Sequence, residues 1–532
     1  MKKLKILFAF TLILLLGACD VEYFDNPNNP DSVPTSALFN NNVKRTVDNT
    51  RDMWWSGRFS YVTMQYWQQS EYGDEDRYVY RESQRQTQND FYEIAENYRE
   101  IIRLNTDPET ADAVAVSSGA NVNQIATCRI MLSWLFDMMT STWGDIPYYS
   151  YGSDNANFQA LSLAGAEEPI VSPVYATQPA IFADILNELD EAADQLDSSL
   201  PAMKGDNIYG GMANDSLRVE AWKKFANSLR LRIAHKIQGA DPTLAEEHAL
   251  DAIADGVFES NADNAMFKYE TNDVTAAQPY RAWFVDNRSD FAMGHSFITL
   301  LKGENLVGHD HATVVEGANP NPFSGITDPR LPIYAQENED GDYVGMFISE
   351  SSADAATFTK ESLPGTAIIE TPDFAETLME YAEVAFILSE RNGWDQALYE
   401  AGVTASCEKW GVAEADITTL IGALPAASEE TVLTQKYIAL YMQGHPAWQE
   451  YRRTGYPKTL IPVFSDFSLY VPSTDTWIDK SFTPLVEEVT DLPYRMKYPQ
   501  QEQTLNGVNW KTAADALENG DVIYSKLWWD VD

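Results

Sequence analysis

Aromatic rings crowded among amides and guanidinium groups are the residues of this chain whose types and spacing point to chemistry. Trp54, Trp55, Tyr61, Tyr66, Trp67, Tyr72, Tyr78 and Tyr80 fall in one polar stretch with Gln65, Gln68, Gln69 and Arg77. A second group holds Tyr269, Tyr280, Trp283 and Phe284, with Arg281 and Asn287 beside them. Flat rings next to amides and charges suit sugars, whose C–H faces stack on the ring while their hydroxyls find hydrogen-bond partners. Any one such ring can equally be a core residue, because aromatics bury large areas. The candidate glycan-binding residues are Trp54, Trp55, Trp67, Tyr72, Arg77, Tyr78, Tyr280 and Trp283.

Bond-cleaving chemistry finds less footing. A glycosidase needs two carboxyls facing each other across a sugar, roughly 5–10 Å apart. With 80 Asp and Glu, neighbouring acids such as Glu71 with Asp74, or Glu337, Glu339, Asp340 and Asp342, arise by chance. No pair stands out. The chain has no G-x-S-x-G, no P-loop and no G-x-G-x-x-G. His309-Asp310-His311 could set two imidazoles on one face of a strand, but zinc takes three or four protein ligands and no partner cluster is visible. Residues 337–342 fail the EF-hand spacing. The expectation is no resident metal, no cofactor and no catalytic centre, with a lipid-anchored hydrolase as the competing class.

The rest of the 532-residue chain must position those rings. The 37 Lys and Arg against 80 Asp and Glu give a formal charge of −43, which argues against nucleic acid and anionic lipid. A hydrophobic content of 44%, with 14 Trp, is far too apolar for a disordered acidic chain. The three cysteines, Cys19, Cys128 and Cys407, exclude a disulfide-rich scaffold. Cys128 and Cys407 sit in apolar helical contexts and read as buried thiols.

Residues 1–18 read as an export signal. Lys2, Lys3 and Lys5 precede an apolar run from Ile6 to Leu16 that is too short to span a bilayer, which needs about 20 residues. Leu16-Gly17-Ala18-Cys19 then supplies the small residues before a cysteine that a bacterial lipoprotein signal requires, leaving Cys19 to carry lipid. Residues 19–37, acidic and rich in Pro and Asn, read as a tether.

Amphipathic periodicity predicts helices over Asn123–Thr142, Pro179–Leu196, a segment through Trp222–Ile233, and Leu244–Ile253. Further on it predicts paired helices, Phe374–Arg391 with Asp395–Trp410, then Glu429–Gln443 with Pro446–Arg453. Ala397, Ala401 and Ala405 offer a small-residue face for close helix approach. The pairs loosely match a tetratricopeptide unit of about 34 residues. Ser150–Thr177 and Asn261–Pro372 break the pattern as long connections, the second with a tight turn at Glu339–Asp342. The expected body, 38–532, is all-α dominated: irregular tetratricopeptide-like helix pairs with long loop insertions, minor β-hairpins, and a loop-rich ligand-face insertion around 261–372.

Several runs together resemble the SusD/RagB family of Bacteroidetes outer-membrane lipoproteins. They are Arg129…Phe136 with Trp143-Gly144-Asp145-Ile146-Pro147-Tyr148, then Ile181–Ala192, Trp222–Arg232, Met379–Val384, Gln435–Leu440, Glu450–Pro457 and Leu527-Trp528-Trp529-Asp530. They cover essentially the mature chain in the expected order. The resemblance implies a SusD-like helical scaffold, with acyl lipid such as palmitate on Cys19 and cell-surface exposure on the outer membrane. It also implies a SusC-like TonB-dependent β-barrel transporter as partner. The implied role is capture of an oligo- or polysaccharide, or in some members a peptide, for delivery into the barrel without cleavage. The matching motifs look like scaffold. Ligand residues vary across the family, so none is carried over.

Overall fold

The computed structural model describes residues 33–162, 169–307, 315–348, 361–471 and 476–531. Cys19, the signal segment and the His309-Asp310-His311 pair lie outside them.

Helix α1 (Thr35–Arg51) begins inside the stretch expected to be tether. Thr35 is buried there and Ser36 donates its backbone N–H to Ser118, so the body starts a few residues earlier than composition suggests. Helices α2 (Thr87–Thr106), α3 (Ala111–Ser118) and α4 (Asn121–Trp143) follow. Next come α5 (Gln178–Gln195), α6 (Asp215–Ile237) and α7 (Pro242–Asp255). Successive partners pack side by side, α2 on α4, α4 on α5, α5 on α6 and α6 on α7. After α8 (His295–Lys302), α9 (Tyr381–Arg391) packs on α10 (Gln396–Lys409). Then α11 (Glu414–Ala423), α12 (Glu429–Ala439), α13 (Gly444–Thr454) and α14 (Gly507–Ala516) complete the scaffold. The helix-pair architecture expected from sequence is the one observed.

Three elements differ from the periodicity reading, each for a physical reason. Helix α4 is buried almost all round rather than along one stripe. Its polar groups are satisfied inside: Arg129 bonds Glu188 and Glu191, and Asp137 holds Lys236. Residues 375–379, read as the start of a helix, form strand β4 against β2 (Ala265–Lys268). Their composition favours helix, but the long-range ladder wins. In α10 the close approach is made by Gly402, where a Cβ would meet the Phe386 ring at 2.8 Å. Ala397 of the expected small-residue face is exposed.

Helix ends follow their capping residues. Gly144 takes a φ of +102° after α4 and Gly256 a φ of +101° after α7, a region side chains avoid. The C-terminal tail contains α14 and an antiparallel pair of β5 (Asp466–Val471) with β6 (Thr476–Ser481). Its end is locked down. The Arg452 guanidinium lies 3.5 Å from the Trp448 ring centroid and 4.4 Å from that of Trp529. Cys128 and Cys407 are buried and unbridged.

Candidate functional site

Two π-helices carry the two aromatic segments, Met53–Tyr61 and Arg281–Val285. Such wide turns are rare and cluster at functional sites. The first begins at Asp52, whose carboxylate accepts the backbone N–H of Trp55. A wider turn changes which side chains share a face. Trp55 is driven into the core, stacked 5.5 Å from Trp143, while its neighbour Trp54 stays partly exposed.

The segments are joined by a two-stranded sheet. Strand β1 (Trp67–Gln69) pairs antiparallel with β3 (Phe291–Met293), Trp67 opposite Met293. Below it, Trp67 and Trp283 meet edge to face with centroids 5.9 Å apart, and Trp67 donates its indole N–H to Tyr441 at 2.8 Å. The backbone N–H of Ser70 reaches the carbonyl of Asp290 at 2.7 Å, extending the junction toward the surface.

At that surface stands an aromatic–arginine ledge. The Arg58 guanidinium sits 4.9 Å from the Trp54 ring and 4.8 Å from the Tyr72 ring, touching both. Arg81 lies 5.8 Å from the first ring and 5.9 Å from the second, and Arg288 lies 5.9 Å from Tyr72. Tyr72 is 38% exposed, and the side chains of Arg81 and Arg288 are 43% and 53% exposed, so the ledge faces solvent. Buried acids hold the guanidiniums in place. Arg58 bonds Asp290 at 2.8 Å, Arg288 meets the same carboxylate at 3.1 Å, and Arg81 pairs with Glu75 at 2.8 Å. Asp76, behind them, accepts from the Gln69 backbone and side chain, yet burial pushes its pKa up to about 7. Guanidiniums fixed over rings are pre-organised, so little rotamer freedom is left to lose on binding.

The eight sequence candidates divide cleanly. Trp54 and Tyr72 form the ledge. Trp283 is half-buried beneath it against Trp67 and Phe291. Tyr280 stacks on Phe284 at 5.3 Å, and Phe284 is 53% exposed, a second ring surface on the same joined segments. Arg77 is partly exposed but spent on Gly73 and Asp74. Trp55, Trp67 and Tyr78 are core residues and present no ring to solvent. Tyr78 packs on Phe482. Tyr61, Tyr66 and Tyr269 are likewise buried.

Sequence reasoning missed Arg58, the residue on which the ledge is built. Its signal was the i,i+4 spacing from Trp54, hidden because a buried arginine cannot be told from a surface one without its acid partners. Among the described residues no cluster of three or more His, Cys, Asp or Glu could hold a metal, and no helix is long and apolar enough to cross a membrane. The turn expected at Glu339–Asp342 is present, with Gly341 at a φ of +81°.

The resemblance motifs turn out to be scaffold. Their charges pair across helices: Arg129 with Glu188, Arg230 with Asp190, Arg232 with Glu383, and Lys436 with Glu450. A family described as starch-binding and associating with the outer membrane matches residues 27–305 and 311–468. A second, described as SusD and RagB outer membrane lipoprotein, matches residues 426–530. No curated protein is significantly similar.

Among solved structures, a chitin-binding protein is 22% identical with a TM-score of 0.70, covering 94% of this chain and 100% of its own. A chitin-binding SusD homologue from Flavobacterium johnsoniae is 21% identical, with a TM-score of 0.68 over 93% of this chain and 98% of its own. A SusD homologue from Parabacteroides distasonis is 20% identical, with a TM-score of 0.69 over 94% of this chain and 97% of its own. At these identities the neighbours establish the fold. With the family match spanning most of the sequence, the chain belongs to the SusD/RagB family.

Proposed function

We infer that the protein is an outer-membrane lipoprotein, anchored through Cys19 and exposed at the cell surface, that binds an oligo- or polysaccharide. It hands the glycan uncleaved to a SusC-like TonB-dependent β-barrel. The observation that carries the binding half is the Trp54–Tyr72 ledge, an exposed Tyr72 ring and a partly exposed Trp54 ring steadied by a fixed guanidinium. Stacking rings flanked by donors match the alternating C–H and hydroxyl faces of a sugar. Trp283, Tyr280 and Phe284 would extend the surface.

The ledge also bears on ligand charge. Arg81 and Arg288 stand at the rim, but each already faces a carboxylate, Glu75 or Asp290. Paired guanidiniums still donate hydrogen bonds while adding little net positive field. With a chain charge of −43 this favours neutral glycans over sulfated or uronic ones. The family descriptions and the two chitin-binding neighbours support a carbohydrate ligand. Incubating the mature protein with neutral oligosaccharides, including chitin and starch fragments, tests the reading. Retention of intact glycan without products supports it. Turnover abolished by one carboxylate change would replace it with a hydrolase, and tight binding of peptides alone would replace it with a peptide carrier.

A further inference from the structure

A cavity of about 210 Å³ lies between residues 78–85 and two stretches of the C-terminal tail, 496–497 and 522–524. Its apolar walls include Val486, Met496 and Ile523, and the half-buried Tyr524 adds a ring. Backbone bonds brace these walls. The N–H groups of Tyr494 and Arg495 reach the Ile523 carbonyl at 2.9 and 3.3 Å, and that of Leu485 reaches Arg77 at 3.0 Å. Trp54, Arg58, Tyr72, Arg81 and Arg288 of the ledge are not among the lining residues. The volume is below the usual small-molecule range of about 300–1,000 Å³ and suits a ligand of one ring or less.

The described lining holds two cations, Arg85 and Lys497, and no acid. In a chain of formal charge −43 this is a local reversal of sign. Arg85 is already answered: Glu82 pairs with it at 2.5 Å and also accepts the Gln500 backbone N–H at 2.6 Å. Lys497 is half-buried and meets no carboxylate within ion-pair distance among the described residues. Beside apolar walls its ammonium gives up part of its hydration and receives no partner in exchange. The Tyr524 hydroxyl also has no partner among the described residues. Both polar tips remain accessible, whereas the Tyr78 hydroxyl in the same wall is shut in and offers nothing to a ligand.

The lining separates two kinds of anion. A phosphate dianion sheds its water only to a dense set of donors, such as a nest of backbone N–H groups. Here a few side-chain donors stand among valine, methionine and isoleucine. A single carboxylate needs fewer donors, and an apolar body behind it fits those walls. We propose that this cavity binds one small monocarboxylate carrying a ring or a short apolar body. The carboxylate meets Lys497, with Arg85 and Tyr524 as further donors, and the body lies against Val486, Met496 and Ile523. The ligand class comes from the cavity alone, so the site stands or falls separately from the ledge.

Saturation-transfer NMR on the mature protein with benzoate as probe tests it. Transfer is expected in the wild type and in Trp54→Ala. It should be at least about fivefold smaller in Lys497→Gln, and smaller again with benzamide, which keeps the ring without the charge. No transfer from benzoate in the wild type overturns the site. So does undiminished transfer in Lys497→Gln, equal transfer to benzamide, or loss in a folded Trp54→Ala. Benzoate that survives equimolar inorganic phosphate supports the carboxylate assignment, and displacement overturns it. Should Lys497→Gln fail to fold, the methyl resonance of Met496 in methyl-labelled wild type replaces it. A shift on benzoate titration supports the site, and a stationary resonance overturns it.

Discussion

The Arg58 guanidinium and the Tyr72 ring lie 4.8 Å apart, and the same cation touches Trp54 on its other flank while Asp290 holds it from below. One buried arginine thus fixes the spacing of the two rings offered to a ligand.

Removing that arginine should damage more than binding. Arg58→Ala takes from Asp290 its buried partner and leaves Arg288 alone on that carboxylate, while Glu75 keeps Arg81. A loss of about 1–3 kcal/mol in unfolding free energy is expected, read from urea denaturation. Arg58→Lys keeps the charge but not the plane, so it should recover stability in part while ring spacing and glycan affinity stay impaired.

Trp67→Ala is expected to weaken binding although its ring is buried. It removes the edge-to-face contact with Trp283 and the bond to Tyr441, destabilising the chain by about 3–5 kcal/mol. Trp67→Phe should restore most stability and nearly all affinity in the same denaturation and titration experiments. Affinity unchanged in Trp67→Ala would separate the β1–β3 junction from the ledge.

The chain end makes a further test of the scaffold. Trp529 is buried against Arg452, which also donates to the carbonyls of Ser141 and Tyr494 at 2.9 and 2.6 Å. Trp529→Ala should cost about 3–5 kcal/mol by denaturation. The site is remote in sequence from the ledge, so glycan affinity at low temperature should be retained.

Buried carboxyls give a pH signature. Burial raises Asp76 from 3.8 and Glu376 from 4.5, each to about 7. Both groups hold a proton more tightly folded than unfolded. Their contribution is therefore full below pH 4 and is lost as pH rises through 7. Each can add a slope of up to about 1.4 kcal/mol per pH unit in that window. Thermal melts from pH 4 to 8 should show a steeper fall in the wild type than in Asp76→Asn. Parallel curves would contradict the assignment for Asp76.

Much of this architecture was written locally, and the exceptions share a cause. Helices α5, α7 and α12 follow from apolar spacing and turn residues within their own segments. Residues 375–379 do not, because their strand exists only through pairing with 265–268, over a hundred residues away. The site shows the same divide. The rings at 54–80 and 280–284 were identifiable by type, but a 3.6-residue period cannot sort Trp54 from Trp55 when the turn is a π-helix. Nor could spacing reveal that Trp67 and Tyr78 go inward, since their partners Trp283 and Phe482 lie far along the chain. Arg58 escaped notice for that reason too: its role depends on Asp290.

The central claim is that Trp54 and Tyr72 contact the glycan. Isothermal titration of the wild type, Trp54→Ala, Tyr72→Ala and the double variant against the tightest-binding neutral oligosaccharide tests it most directly. Each single change should weaken binding by about 1 kcal/mol or more, roughly fivefold, and the double change should abolish measurable heat, with melting temperatures near wild type. Wild-type affinity in a folded double variant would contradict the account.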